Sequence, residues 1–208
     1  MEHPKTTLGR YGFTAKKSLG QNFIHDDGIL ARIVAAADLT RDDQILEIGP
    51  GLGALPRHLA EQAGRVVAGE LDDRLLVVLQ RQLGTAHNVE IVHGDILDLD
   101  PASYFHERFK VVGNVPYYIT AAILRHLLAA PFKPDLVVLT VQLEVAERIL
   151  AQPGEMSLLS VMVQFYAAVE MLFRIKAGAF WPRPAVDSAV LRLTARRDPL
   201  LPASKEEA

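Results

Sequence analysis

The alternation of short apolar runs with helical patterns is the feature of this chain that most constrains its fold. Five apolar runs have the length and composition of buried strands and occupy residues 44–48, 65–69, 89–92, 109–113 and 135–141. Helical patterns separate most of these runs, and two further strand-like runs follow at residues 169–175 and 188–194. Strands that alternate with helices predict a doubly wound α/β fold with a mostly parallel sheet. The last two runs predict an antiparallel edge, which makes a seven-stranded sheet.

Composition narrows the class of protein and its compartment. The 208 residues are 50% hydrophobic, which is enough for one well-buried domain. The chain has no cysteine, no apolar run of membrane-spanning length and no apolar signal-peptide core near its start. The histidines are scattered without metal-ligand spacing. We therefore expect a cytoplasmic protein with no membrane partner and no metal site. We also expect a monomer, which is a separate prediction that composition does not decide.

The charge is unevenly distributed along the chain. The formal net charge is −3, but residues 1–20 carry +3 and residues 171–198 carry +4, against −9 in residues 21–170. Two basic segments that met in space would form a basic rim around a site for nucleic acid. Charge alone is equally compatible with ordinary solvated side chains.

A glycine-rich turn lies between the first central strand and its helix. Gly49, Gly51 and Gly53 allow a tight turn and a close ligand approach, and the start of the helix offers free N–H donors. Taken alone, these glycines also fit an ordinary strand–helix turn. Glu70 and Asp95 follow the next two strands, at the same predicted edge of the sheet. The set predicts a nucleoside cofactor, with its amino-acid end on the glycines, its ribose on Glu70 and its adenine amine on Asp95.

The stretch Asn114-Val115-Pro116-Tyr117 follows the fourth central strand at this same edge. An amide oxygen can accept a hydrogen bond from an exocyclic amine, proline fixes the backbone, and the tyrosine ring can stack on a base. The adjacent Tyr118 is predicted to pack in the core. Four apolar residues at helical spacing are also predicted as core: Leu158, Val161, Met162 and Phe165.

Taken together, these motifs resemble those of the class I S-adenosylmethionine-dependent methyltransferases that modify adenine N6. The segment Lys17-Ser18-Leu19-Gly20-Gln21-Asn22-Phe23 is similar to the N-terminal signature of the ribosomal RNA adenine dimethyltransferases. Tyr117-Tyr118-Ile119-Thr120 continues the tetrapeptide as in that family. The late segment Phe180-x-Pro182-x-Pro184-x-Val186-Asp187-Ser188 resembles the signature of its small-subunit branch, the KsgA/RsmA enzymes.

The resemblance implies a Rossmann-like class I methyltransferase fold, S-adenosyl-L-methionine as cofactor, and a specific set of site residues. The cofactor would be bordered by Asn22, Ile24, Gly49, Gly51, Glu70, Asp95 and Asn114. The catalytic residues would be Asn114, Pro116, Tyr117 and Phe180, with the two aromatic rings on opposite faces of a flipped adenine. The implied reaction is N6,N6-dimethylation of two adjacent adenosines near the 3′ end of small-subunit (16S) ribosomal RNA. The implied partner is the small subunit as a late assembly intermediate in ribosome biogenesis.

The resemblance also predicts three segments and leaves two alternatives open. The segments are an N-terminal RNA- and cofactor-site loop (1–25), the methyltransferase domain (26–196) and a remnant of the linker to a missing C-terminal helical domain (197–208). One alternative is a large-subunit adenine methyltransferase of the macrolide-resistance type, which usually lacks the late proline-rich signature. The other is a non-catalytic RNA-binding assembly factor that keeps the fold.

Overall fold

The structure is a computed structural model that describes residues 2–196. Its first elements lie in the N-terminal segment, for which the sequence predicts neither a helix nor a strand. Segment 1–25, predicted as a loop, contains helix α1 (Pro4–Arg10), a 3-10 turn (Lys17–Leu19) and the two-residue strand β1 (Phe23–Ile24). Pro4 begins α1 with a preset φ, and the His3 side chain accepts a hydrogen bond from the backbone N of Lys5. Seven residues are too few to display the apolar periodicity that identifies longer helices.

The remaining elements follow the predicted alternation closely. Their bounds are α2 (Asp27–Ala36), β2 (Gln44–Ile48), α3 (Ala54–Gln62), β3 (Arg65–Glu70), α4 (Asp73–Leu83), β4 (Val89–His93), β5 (Lys110–Asn114), α5 (Thr120–Leu128), β6 (Leu136–Gln142), α6 (Leu143–Ile149), α7 (Leu158–Tyr166), β7 (Ala167–Ile175), β8 (Phe180–Trp181) and β9 (Ser188–Ala195).

Within residues 2–196, seven of these strands form one sheet in the order β4-β3-β2-β5-β6-β9-β7. The strands from β4 to β6 are parallel, whereas β9 is antiparallel to both β6 and β7. This confirms the predicted α/β sheet with an antiparallel edge. The central parallel strands are buried on both faces, which explains their continuous apolar composition. The edge strand β7 alternates exposed and more buried positions, as a strand with one solvated face does.

Two apolar clusters fill the space between the sheet and its helices. One packs α5 against residues such as Leu46 and Val111. The other packs α2 and α3 against Ile45 and Val112. Because neighbouring residues of a strand face opposite sides, these clusters lie on the two faces of the sheet. The sheet is therefore held rigidly from both sides, and its carboxyl edge is a stable platform for a site.

The prediction for α7 is wrong at two positions. Leu158 is 87% exposed and Val161 is 50% exposed, whereas Ser160 and Val163 face the core. Most positions of this nine-residue helix are apolar, so periodicity does not identify its buried side. No helix in the described part of the chain is long and apolar enough to cross a membrane. The predicted linker remnant at 197–208 lies outside the described residues.

Candidate active site

A cleft at the carboxyl ends of the parallel strands contains most of the predicted site residues. Strand order reverses between β2 and β5, which is where open α/β sheets bind ligands. The cleft has about 770 Å³ of empty volume, counting the part open to solvent. Eight of the ten predicted site residues line it: Asn22, Gly49, Gly51, Glu70, Asp95, Asn114, Pro116 and Tyr117.

The glycine turn has a backbone that other residues rarely adopt. Gly49, Gly51 and Gly53 have φ values of 69°, 58° and 84°. A Cβ added to Gly51 would lie 2.9 Å from Cε1 of Phe23, so that ring rests directly on the turn. A Cβ at Gly49 would meet only the Asn114 carbonyl oxygen, at 3.8 Å. The wall of the cleft at Gly49 is therefore bare backbone beside open space, as a ligand that approaches the main chain requires.

Two acidic side chains lie at the cleft wall: Glu70 is the last residue of β3, and Asp95 follows the neighbouring strand β4. Glu70 Oε2 accepts from the Gly51 N at 3.0 Å, and Oε1 accepts from the Asp72 N at 2.8 Å. Burial raises the pKa of the Glu70 carboxyl, and these backbone hydrogen bonds offset part of the rise. Asp95 Oδ1 accepts from the Leu97 N at 2.9 Å. Both carboxylates are thus held in place by the backbone rather than left to rotate.

Glu47 lies in β2, just before the glycine turn, and is a buried acid to which the sequence analysis assigns no role. Its side chain is fully buried, and neither carboxyl oxygen has a hydrogen-bond partner among the described residues. Burial first, and then the nearby charge of Glu70, raises the pKa of Glu47 well above its ordinary value. The structure therefore favours the neutral form of this acid, two residues before the glycine turn begins at Gly49.

Asn114, at the end of β5, has a defined amide orientation. Its Nδ2 donates to the carbonyl oxygen of Asn22 at 2.8 Å. Because a carbonyl oxygen can only accept, the amide nitrogen must face Asn22 and Oδ1 must point elsewhere. The N-terminal segment thus orients Asn114 so that its oxygen remains available as an acceptor.

Tyr117 is held in place by Ser188, which the sequence indicates only as the last residue of the late proline-rich signature. Its hydroxyl shares a hydrogen bond of 2.8 Å with Ser188 Oγ, and Ser188 is completely buried at the start of β9. Burial raises the pKa of the Tyr117 phenol, so the ring stays neutral. The late proline-rich signature therefore positions Tyr117 through its serine.

Asp72 is a second residue that the sequence analysis missed. Its carboxylate accepts from Lys16 Nζ at 3.0 Å, from Gln21 Nε2 at 2.8 Å and from Arg74 Nη2 at 2.7 Å. The hydrogen bonds from Arg74 are the largest cause that holds the pKa of Asp72 far below its usual range. Asp72 thereby ties the N-terminal segment to the start of α4. No sequence pattern distinguishes it from an ordinary helix N-cap.

Phe180 and Ile24 are not at the cleft. They face each other in the antiparallel pair of β1 and β8, are 2% and 5% exposed, and pack in the cluster around α2 and α3. The opposite side of this pair carries Phe23 and Trp181. Ile24 borders a neighbouring cavity over the glycine turn instead. Phe180 is thus buried beside the cleft in this structure, and stacking of its ring on the target adenine stays a prediction.

Tyr118 is predicted to pack in the core, and that prediction is wrong. Its side chain is 61% exposed and lines the mouth of the cleft. The local pattern places it next to a buried-strand end, but the 3-10 turn Tyr117–Ile119 directs it outward.

The side chains and the glycine backbone that line the cleft fit S-adenosylmethionine. Carboxylates suit ribose hydroxyls and an adenine amine, and bare glycine backbone suits an amino-acid group. At Gly94, beside Asp95, an added Cβ would meet nothing within 4 Å, which leaves room for a ring. Among residues 2–196 there is no cluster of three His, Asp or Glu side chains that could hold a metal ion.

Comparison with known proteins identifies relatives along almost the whole chain. The family model described as ribosomal RNA adenine dimethylase matches residues 12–207. A ribosomal RNA small subunit methyltransferase A of Latilactobacillus sakei is 43% identical, over 99% of this chain and 72% of the relative. The protein of the same name in Listeria monocytogenes serotype 4b is also 43% identical, over 96% of this chain and 71% of the relative.

Two solved structures share this fold. The 23S rRNA methyltransferase ErmE is 38% identical with a TM-score of 0.78, over 86% of this chain and 72% of its own. A dimethyladenosine transferase from Plasmodium falciparum is 28% identical with a TM-score of 0.76, over 84% of this chain and 63% of its own. The predicted class I methyltransferase fold is confirmed by these neighbours.

Proposed function

Because the chain belongs to the ribosomal RNA adenine dimethylase family, we propose that it dimethylates N6 of two adjacent adenosines near the 3′ end of small-subunit (16S) ribosomal RNA. The methyl donor is S-adenosyl-L-methionine, and the substrate is the small subunit as a late assembly intermediate. Such a substrate implies a cytoplasmic enzyme in a bacterial cell. The 43% identical relatives, named for the small subunit, support this assignment.

The observation that carries the proposal is that one cleft contains both the residues suited to the cofactor and the residues suited to the target adenine. Glu70, Asp95 and Asn114 line the same cleft, and the hydrogen bond from Asn114 Nδ2 to Asn22 leaves the Asn114 amide oxygen as an available acceptor. We assign the ribose to Glu70, the adenine amine of the cofactor to Asp95, and its amino-acid end to the turn at Gly49 and Gly51. These assignments place the methyl donor beside Asn114.

The residues of the chain act mainly by orienting the amine. When bound, S-adenosylmethionine would supply a methyl group on a positively charged sulfur, which leaves as a neutral thioether. N6 gains the methyl group and then releases one proton to solvent, so the chain does not need to supply a strong base. Adenine N6 is a poor nucleophile because its lone pair is delocalised into the ring. In the first transfer Asn114 Oδ1 accepts a hydrogen bond from one N6 hydrogen, and a main-chain carbonyl accepts a hydrogen bond from the other, which turns the lone pair toward the methyl group. In the second transfer the monomethylated amine has one hydrogen left to donate to these acceptors.

The second acceptor is a main-chain carbonyl near Pro116. The hydrogen bonds that the Pro116 carbonyl already accepts decide which carbonyl is assigned. The Pro116 carbonyl accepts from the Ile119 N and from Thr120 Oγ1, each at 3.3 Å. We therefore assign the second hydrogen of N6 to the carbonyl of Val115, which also lines the cleft. Tyr117, held by Ser188, stacks on the target base.

The alternatives differ in the RNA or in turnover. The large-subunit type is close in structure, since ErmE superposes with a TM-score of 0.78. Ser188 favours the small-subunit type, because the late signature that supplies it is usual in that branch and fixes Tyr117 here. The oriented Asn114 amide argues against an assembly factor without turnover.

Methyl transfer from labelled cofactor to undermethylated small subunits tests the proposal. The protein should produce N6,N6-dimethyladenosine at two adjacent positions. Asn114→Ala should slow transfer about 100- to 1,000-fold, as expected for loss of one oriented electrostatic contact to the reacting group. Leu158→Ala, at an 87% exposed position outside the cleft, is the matched control and should transfer methyl at the normal rate.

Two results would overturn the proposal. Methylation of large-subunit RNA in place of small-subunit RNA would favour the resistance type. Cofactor binding by calorimetry without transfer to either RNA, with an active relative run in parallel, would favour the assembly factor.

A further inference from the structure

Tyr118 is an exposed aromatic side chain that the proposed chemistry does not use. Among residues 2–196 it is the only Phe, Tyr or Trp that is mostly exposed, at 61%. It also lines the mouth of the cleft, beside Tyr117 and the N-terminal segment at Leu19 and Gly20. A large ring left in water at the entrance of a nucleotide site is a suitable partner for a base.

The local backbone sends the two neighbouring tyrosines in different directions. They lie in the 3-10 turn Tyr117–Ile119, where successive side chains are about 120° apart. Tyr117 points to Ser188 and is held there by its hydroxyl. Tyr118 points to Gly20, with its Cε1 3.5 Å from the position that a Cβ on Gly20 would take. One edge of the Tyr118 ring is therefore supported, and the rest remains exposed.

We propose that Tyr118 stacks on the nucleobase next to the target adenine while the target lies in the cleft against Tyr117. This inference rests on the proposed function, in which the two targets are adjacent. When one adenine leaves the RNA stack, the face of its neighbour loses a stacking partner. Tyr118 supplies that partner at the cleft mouth.

Stacking on Tyr118 also tolerates the change that the reaction makes. Base–aromatic stacking depends on the π-face and is insensitive to base identity. An adenine whose N6 is already methylated therefore stacks on Tyr118 as well as an unmodified one.

The first experiment measures RNA binding with a fluorescent base. A synthetic RNA carries two adjacent adenosines, one of them replaced by 2-aminopurine, whose fluorescence falls when it stacks. Tyr118→Leu keeps an apolar contact over Gly20 but removes the aromatic ring, so the neighbouring 2-aminopurine should brighten and RNA affinity should fall about 5- to 150-fold. Tyr118→Phe should behave as the unaltered protein, because the phenyl face is retained.

The second experiment separates stacking from a merely structural role. Calorimetry with the cofactor should give the same affinity for Tyr118→Leu, Tyr118→Phe and the unaltered protein, with Leu158→Ala as the surface control. Equal RNA affinity and fluorescence for Tyr118→Leu and the unaltered protein would overturn the inference. A loss of cofactor affinity in Tyr118→Leu would overturn it too, since Tyr118 would then act by supporting the N-terminal segment.

Measuring methyl transfer by the unaltered protein distinguishes a failure of this inference from a failure of the proposed function on which it rests. Transfer to small subunits at normal rates by both the unaltered protein and Tyr118→Leu would refute the role of Tyr118 alone. Absence of transfer by the unaltered protein would refute the proposed function itself.

Discussion

Replacing Gly51 with alanine tests whether the glycine turn is required for its backbone conformation or for the space above it. The φ of Gly51 is 58°, in the left-handed region. The added Cβ would also lie 2.9 Å from Cε1 and 3.0 Å from Cδ1 of Phe23. Real Cβ atoms do not approach a ring so closely, so the Phe23 side chain must move. That movement would disturb the N-terminal segment over the cleft.

Gly12→Ala is a matched control that separates the cost of the left-handed backbone from the cost of the contact with Phe23. Gly12 has a φ of 69°, and an added Cβ there would meet nothing within 4 Å. Gly12→Ala should therefore cost only the left-handed conformation, about 1–2 kcal/mol of unfolding free energy. Gly51→Ala should cost that amount plus about 1–3 kcal/mol for overpacking against Phe23. In a chain of this size each kcal/mol lowers Tm by about 2–4 °C.

Urea unfolding and calorimetry with S-adenosylmethionine check both parts. Gly51→Ala should lose more stability than Gly12→Ala and should bind the cofactor more weakly, while Gly12→Ala keeps its affinity. Adding Phe23→Leu to Gly51→Ala should recover part of the lost stability, because the shorter side chain can move away. Equal losses of stability in the two single variants would refute the reasoning, since the contact with Phe23 would then cost nothing.

Two further predictions concern buried carboxyl groups. Asp72→Asn should cost about 1–3 kcal/mol at pH 7 and speed tryptic cleavage after Lys16, because a buried charged acceptor of three side chains is lost. Since the pKa of Asp72 is lowered by folding, this difference should shrink in acid; a pH-independent difference would contradict it. The raised pKa of Glu47 means that stability falls as pH rises from about 4.3, the unfolded value, through the folded one. Glu47→Gln should remove that fall in urea melts between pH 4 and 8, and an unchanged slope would count against a buried neutral acid.

Much of the site could be predicted because its signals are local. Gly49, Gly51, Glu70, Asp95 and Asn114 each follow or end a strand whose apolar pattern is unmistakable. Parallel strands bring their carboxyl ends to one edge, so residues at successive strand ends must meet. The strand predicted at 44–48 has the bounds observed for β2, Gln44–Ile48.

Side-chain environment was less predictable, because it depends on partners distant in the sequence. Phe180 is buried because β8 pairs with β1, and Tyr118 is exposed because a 3-10 turn directs it away from Ser188. Neither partner can be read from the residues on either side.

The sequence by itself therefore determined the order of elements, the glycine turn and the acids at the strand ends, since these depend on local backbone preference and burial pattern. Only the tertiary structure decided which rings face the cleft and what holds the N-terminal segment over it. Asp72 binds Lys16 across 56 residues, and Asn114 binds Asn22 across 92. Such contacts exist only after the sheet has assembled, because a hydrogen bond between distant residues depends on the position of both.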